Sequence, residues 1–200
     1  MAVKLTTQQR ELDFIDKINR LGDFKDHFVE WYDWGPVNVA GIDCLAVVME
    51  RGHDNCRELL PLLQRDKFLR LRCIDHVAKA VRALHQHNFI HGDLKLENVV
   101  DFGLYKLIDF DHAIEMGRTP PPHCTKEYCP PELGQYLRQN GAPVVTSATF
   151  DIWCLGVLVL KLFIKDGILA EFSDVENKDI LDIISDPGFL FNDSIHQLRN

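Results

Sequence analysis

Hydrophobic positions along the chain fall into a few clear periods. Residues 1–5, MAVKL, read as a short apolar strand. Leu12, Phe14, Ile15, Ile18 and Leu21 recur at helical spacing, predicting a helix over residues 8–21 that Thr6 or Thr7 can cap. After the Gly22–Asp26 loop, His27 to Trp31 and Cys44 to Met49 read as strands, with the Gly, Pro and Asn between them marking turns. Helices are predicted over residues 57–66 and 68–87, the second with a core stripe of Leu71, Ile74, Val77, Ala78, Val81 and Leu84. Phe89-Ile90, Val99-Val100 and Leu107-Ile108 are short apolar runs of strand type. Thr119-Pro120-Pro121-Pro122 excludes helix or central strand from the segment His112 to Tyr128. Ile152 to Ile164 is apolar nearly all round and predicts a buried helix. The tail offers a helix near residues 175–185, a Pro187-Gly188 break and the polar start of another helix. The class is mixed, α+β, with helices dominating after about residue 58.

At 200 residues and 46% hydrophobic, the chain suffices for one sizeable core. Its net charge of −8 carries no basic footprint, so no nucleic-acid partner is expected. Residues 1–20 lack an apolar signal-type segment, and the run Ile152 to Ile164 is too short for a bilayer, so no membrane association is expected. Six cysteines without a C-x-x-C pair read as buried free thiols in a reducing compartment, the cytoplasm or the nucleus. His85, His87 and His91 lack a matching cluster of ligands and read as two helix-end histidines and a loop histidine.

The chemistry concentrates in residues 89–111, FIHGDLKLENVVDFGLYKLIDFD. Asp93, Lys95, Asn98 and Asp109 sit among apolar runs, an arrangement suited to phosphoryl transfer, in which a protein positions groups and neutralises charge. Asp93 can accept the proton of an attacking hydroxyl and Lys95 can neutralise the phosphoryl group. Asn98 and Asp109 offer oxygen ligands to Mg²⁺. Asp101 competes for the metal role, but it follows Asn98 by three residues, too few for the two strands of an intervening hairpin. Phe102-Gly103 therefore reads as the hairpin turn, and Asp109, eleven residues past Asn98, as the ligand.

His91-Gly92-Asp93-Leu94-Lys95-Leu96-Glu97-Asn98 resembles the protein-kinase catalytic loop H-R-D-x-K-x-x-N. Three further stretches resemble the same family in the same order. Val47 to Gly52 is similar to the kinase hinge. Cys124 to Glu132 is similar to the G-T-x-x-Y-x-A-P-E ending of an activation segment. Asp151-x-Trp153-x-x-Gly156 is similar to the buried helix of the large lobe. The resemblance implies a two-lobed fold, with a reduced β lobe over residues 1–52 and a mainly helical lobe over 53–200 that lacks the family's last helices. It implies ATP and Mg²⁺ as cofactors, a protein Ser or Thr hydroxyl as acceptor, and Thr125 beside Asp93 and Lys95. Lys4 would grip the α- and β-phosphates and Glu11 would pair with Lys4. Met49 would be the gatekeeper, backbone groups of Glu50 and Gly52 would meet the adenine edge, and Val100 would complete the nucleotide set. Asp151 would hydrogen-bond the catalytic-loop backbone.

The chain departs from the family pattern in having no Gly-rich loop ahead of Lys4, Gly92 in place of Arg, Asp111 in place of Gly, and no arginine to pair with Glu132. A pseudokinase acting as a binding or scaffolding module is one alternative. A small-molecule kinase of the aminoglycoside or choline type is another, suggested by His91-Gly92-Asp93 with Ile108-Asp109-Phe110-Asp111 and opposed by residues 124–132.

Overall fold

The computed structural model describes residues 1–7, 9–19, 26–138, 143–176 and 179–198. Strand β1 (Ala2–Thr6) and helix α1 (Gln9–Asn19) precede a hairpin of β2 (Trp31–Val39) and β3 (Ile42–Met49). The three strands form an antiparallel sheet in the order β1-β3-β2. Alternation in β1 turns Val3 and Leu5 outward, 63% and 52% exposed, and Lys4 toward the interior.

The second strand corrects the expectation from sequence. Most of the segment expected to be turns, 32–39, belongs to β2, and the turn is Ala40-Gly41, both at positive φ (53° and 84°). Gly35 and Pro36 are tolerated because β2 is an edge strand. His27 to Val29, expected as part of a strand in this region, pair instead with Leu107: Leu107 N–H donates to His27 O at 2.9 Å and Val29 N–H to Leu107 O at 3.1 Å. That partner lies far along the chain, beyond the reach of local pattern.

Helix α1 buries Leu12, Phe14, Ile15 and Ile18 as predicted, and with them Glu11. Leu21 and the loop residues Gly22 to Lys25 lie outside the described residues. Helix α2 (Leu60–Arg65) is shorter than predicted because its lead-in is a capped turn. There Asn55 Oδ1 accepts the amides of Arg57 (2.9 Å) and Glu58 (3.0 Å), and Glu58 Oε2 accepts that of Asn55 (3.2 Å). Helix α3 (Lys67–Gln86) begins at Asp66, whose carboxylate accepts from Phe68 and Leu69 N–H. Its core face is Cys73, Val77, Ala80, Val81 and Leu84, while Leu71, assigned to that stripe from sequence, is 48% exposed. Small residues carry the face, so a count of large apolar positions misplaced its edge.

Strands β4 (Phe89–Ile90), β5 (Val99–Asp101), β6 (Tyr105–Leu107) and β7 (Ile114–Glu115) follow, with β5 pairing β6 and β4 pairing β7. Helices α4 (Pro131–Leu137), α5 (Ala148–Phe163), α6 (Ile180–Ile184) and α7 (Asn192–Gln197) complete the chain. Helix α5 is not buried all round, although its apolar composition predicts that it should be. Phe150, Cys154, Val157, Leu158 and Leu162 face the core, while Ile152 and Phe163 lie on a face at the surface, 54% and 43% exposed. Its one interior cation, Lys161, bonds Glu127 (2.5 Å) and Gly167 O (2.9 Å). Helix α6 is shorter than the 175–185 expected. One continuous apolar cluster runs from α1 through α3, β4 to β6 and α5 to α6. Among the described residues no helix is long and apolar enough to cross a membrane.

Candidate active site

The loop between β4 and β5, residues 91–98, is held from below by α5. Asp151 is fully buried, and its carboxylate accepts His91 N–H at 2.8 Å and Gly92 N–H at 3.1 Å, with His85 Nε2 at 3.0 Å. These bonds satisfy loop amides that burial would otherwise leave without partners. The His91 ring reaches Ile108 O at 3.1 Å, and Tyr128 OH accepts Leu96 N–H at 3.3 Å. The histidines at 85 and 91 are thus both structural, and His87 bonds Ala83 O.

On this base the polar groups converge. Lys95 Nζ lies 2.5 Å from Asp93 Oδ2 and 3.1 Å from Thr125 Oγ1, and the Thr125 hydroxyl donates to Asp93 Oδ1 at 2.7 Å. Asn98 Nδ2 donates to Asp93 O (2.8 Å) and Oδ2 (3.3 Å), which leaves the amide oxygen as its donor atom toward a cation. Ile108 N–H donates to Asn98 O at 3.0 Å, bringing Asp109 alongside. Phe102-Gly103 forms the β5–β6 turn, with Gly103 at φ 86° and its amide on Asp101 Oδ1 at 2.7 Å, so Asp101 serves the turn.

Lys4 comes in from the sheet. Its ammonium lies 2.7 Å from Glu11 Oε1, 2.7 Å from Asp109 Oδ1 and 3.3 Å from Asp111 Oδ1. Helix α1 is fixed for this by Phe14, whose ring meets Phe110 at 5.0 Å between centroids; Phe110 also touches Phe28 and His91 at 5.5 and 5.3 Å. Burial pushes the Glu11 carboxyl up, and the neighbouring Asp111 carboxylate adds to it, so that even with Lys4 pulling it down it reaches about 7. Burial raises Asp109 as well, but Lys4 outweighs it and holds this carboxyl below its ordinary value. Burial lowers the Lys4 ammonium, yet the bonds to Asp109 and Glu11 leave it well above its usual value.

Glu11, Asp109 and Asp111 each offer an oxygen, all within 4.8 Å of one another, and buried Glu11 Oε2 has no hydrogen-bond partner. Three carboxylates around one ammonium leave formal negative charge with hard oxygen donors. That donor set, with the Asn98 amide oxygen, fits Mg²⁺.

The remaining expected residues lie at the end of β3. Met49 packs on the core, and the Glu50 carboxylate takes Lys106 Nζ (2.6 Å) and Glu30 N–H (2.7 Å). Glu50 N–H donates to Glu30 O at 2.9 Å. Val100 and Phe102 crowd Gly52 so closely that a Cβ there would lie 2.3 Å from Val100 Cγ1. Two residues of interest had no sequence signal, His112 and His123. Their rings meet only because the Pro-rich segment doubles back, a contact that spacing does not encode.

A family model described as protein kinase domain matches residues 39–193. The chain is 26% identical over 208 residues to dual specificity protein kinase Ttk of Danio rerio, covering 85% of this chain and 20% of that protein. It is 31% identical over 121 residues to serine/threonine-protein kinase 1 of Heliothis zea nuclear polyhedrosis virus, covering 56% and 40%. It is 30% identical over 106 residues to serine/threonine-protein kinase MAK of Homo sapiens, covering 50% and 16%. The chain thus spans two fifths or less of each of these relatives.

Proposed function

Because this chain belongs to the protein kinase domain family, we propose that it transfers the γ-phosphate of ATP to a Ser or Thr hydroxyl of a protein. The observation that carries the reading is the Thr125 hydroxyl bonded at 2.7 Å to Asp93, with Lys95 on both. A substrate hydroxyl entering beside Thr125 meets a carboxylate that can take its proton and an ammonium that can meet the transferring phosphoryl. Asn98 and Asp109 would hold Mg²⁺, which when bound neutralises phosphate charge. Lys4, kept aligned by Glu11, would bind the α- and β-phosphates. Met49 and Val100 would flank the adenine; with Glu50 N–H spent on Glu30, the Glu50 carbonyl and the Gly52 amide would meet its edge. Six free cysteines suit a reducing compartment, the cytoplasm or the nucleus.

One observation favours a second reading, a binding module without turnover. Asp111 adds a third carboxylate to Lys4, and nucleotide phosphates must compete with it.

Two measurements separate these readings. ATP with Mg²⁺ at a hundredfold excess over Kd should stabilise the chain by roughly 2.7 kcal/mol, a rise in Tm of about 5–10 °C at this size. Incubation with Ser/Thr peptides should then give phosphopeptide. A shift without phosphopeptide would support the binding module. Turnover only of an amino sugar or choline would overturn the proposal.

A further inference from the structure

His112 follows Asp111 directly, and His123 precedes Cys124 and Thr125. Their Nε2 atoms are 3.0 Å apart, with ring centroids at 4.2 Å and planes at 78°. The other nitrogen of His112, Nδ1, is buried without a hydrogen-bond partner and lies 3.9 Å from Asp93 Oδ2. His123 is exposed.

We propose that His112 and His123 form a binding site for a borderline-soft divalent transition-metal ion, with zinc(II) as its type, and that the ion clasps residues 112 and 123 together beside Asp93. Two neutral imidazoles bind such an ion at about 2.0–2.1 Å each, which at a tetrahedral angle sets the nitrogens about 3.3 Å apart. The observed separation is within about 0.3 Å of that. Coordination through Nε2 fixes the proton of His112 on Nδ1, the nitrogen that faces Asp93. A ligating histidine characteristically donates its second N–H to a carboxylate, and Asp93, 3.9 Å away, is the carboxylate the orphaned Nδ1–H would reach once the two close by about 0.8 Å. Water completes the coordination on the exposed His123 side.

The ion would draw Asp93 into a hydrogen bond that competes with Lys95 and Thr125. Inhibition of phosphoryl transfer by the ion therefore rests on Asp93 being the base, whereas the binding itself does not.

Zn²⁺ alone, titrated into the whole chain against a chromophoric chelator, tests the binding. Of the nine histidines, the ring resonances of His112 and His123 should move. The exposed-site variant His123→Ala should bind at least about tenfold more weakly. That variant keeps all six thiols, so zinc held by cysteines would survive in it. Equal affinity in both proteins, or movement of other histidines only, would overturn the site and leave the pair as two hydrogen-bonded imidazoles.

Discussion

Gly92 and His112 compete for one volume: a Cβ on Gly92 would lie 2.5 Å from the His112 carbonyl oxygen and 3.2 Å from its Cβ. Gly92 also sits at φ 79°, in the left-handed region. The glycine that stands in the β4–β5 loop, where the resembled motif has Arg, is therefore required by the chain packed against it.

Gly92→Ala should lose about 2 kcal/mol or more, from backbone strain together with a backbone clash. Gly103→Ala is the control, with a similar φ of 86° and open space around it, and should lose only the strain. Chemical denaturation of both variants measures the difference, and equal losses would show that the His112 contact costs nothing.

Asp151→Ala removes the acceptor of the buried His91 amide, of the half-buried Gly92 amide and of His85. A loss of about 3 kcal/mol is expected, because charged hydrogen bonds disappear and donors stay buried. At this size the melting temperature should fall by about 6–12 °C.

Asp93→Asn keeps the shape of the site but lacks a group that can take a proton. Peptide phosphorylation should fall by about 10²- to 10⁴-fold, while the nucleotide-dependent melting shift persists. Undiminished phosphorylation would remove Asp93 from the role of base.

Glu11 gives stability a pH dependence of unusual sign. Its carboxyl is raised from 4.5 to about 7 on folding, so between these values the folded chain holds more protons than the unfolded one. The contribution is fully present below about pH 4.5 and is lost as pH rises through about 7. The melting temperature of the native chain minus that of Glu11→Gln should therefore decline from pH 5 to pH 8. A rising difference would mean that Lys4 dominates the carboxyl.

The convergence of polar groups within residues 89–111 was legible because it depends on short offsets. Asp93, Lys95 and Asn98 share one loop, and an interval of eleven residues from Asn98 to Asp109 leaves room for the β5–β6 hairpin. The α1 stripe of Leu12, Phe14, Ile15 and Ile18 was legible because helical periodicity records which face meets the core, whereas α5, apolar nearly all round, gave no sign that Ile152 and Phe163 would lie outward. Strand β2 was not, since Gly35 and Pro36 carry turn chemistry and only the edge position in the sheet admits them. Tertiary structure alone decided that Asp109 and Asp111 join Glu11 around Lys4, that Gly92 yields its side-chain space to His112, and that His112 meets His123. Each of these joins segments whose separation is set by packing. Local preference governs the backbone of a segment, whereas a contact between segments depends on how their buried faces fit.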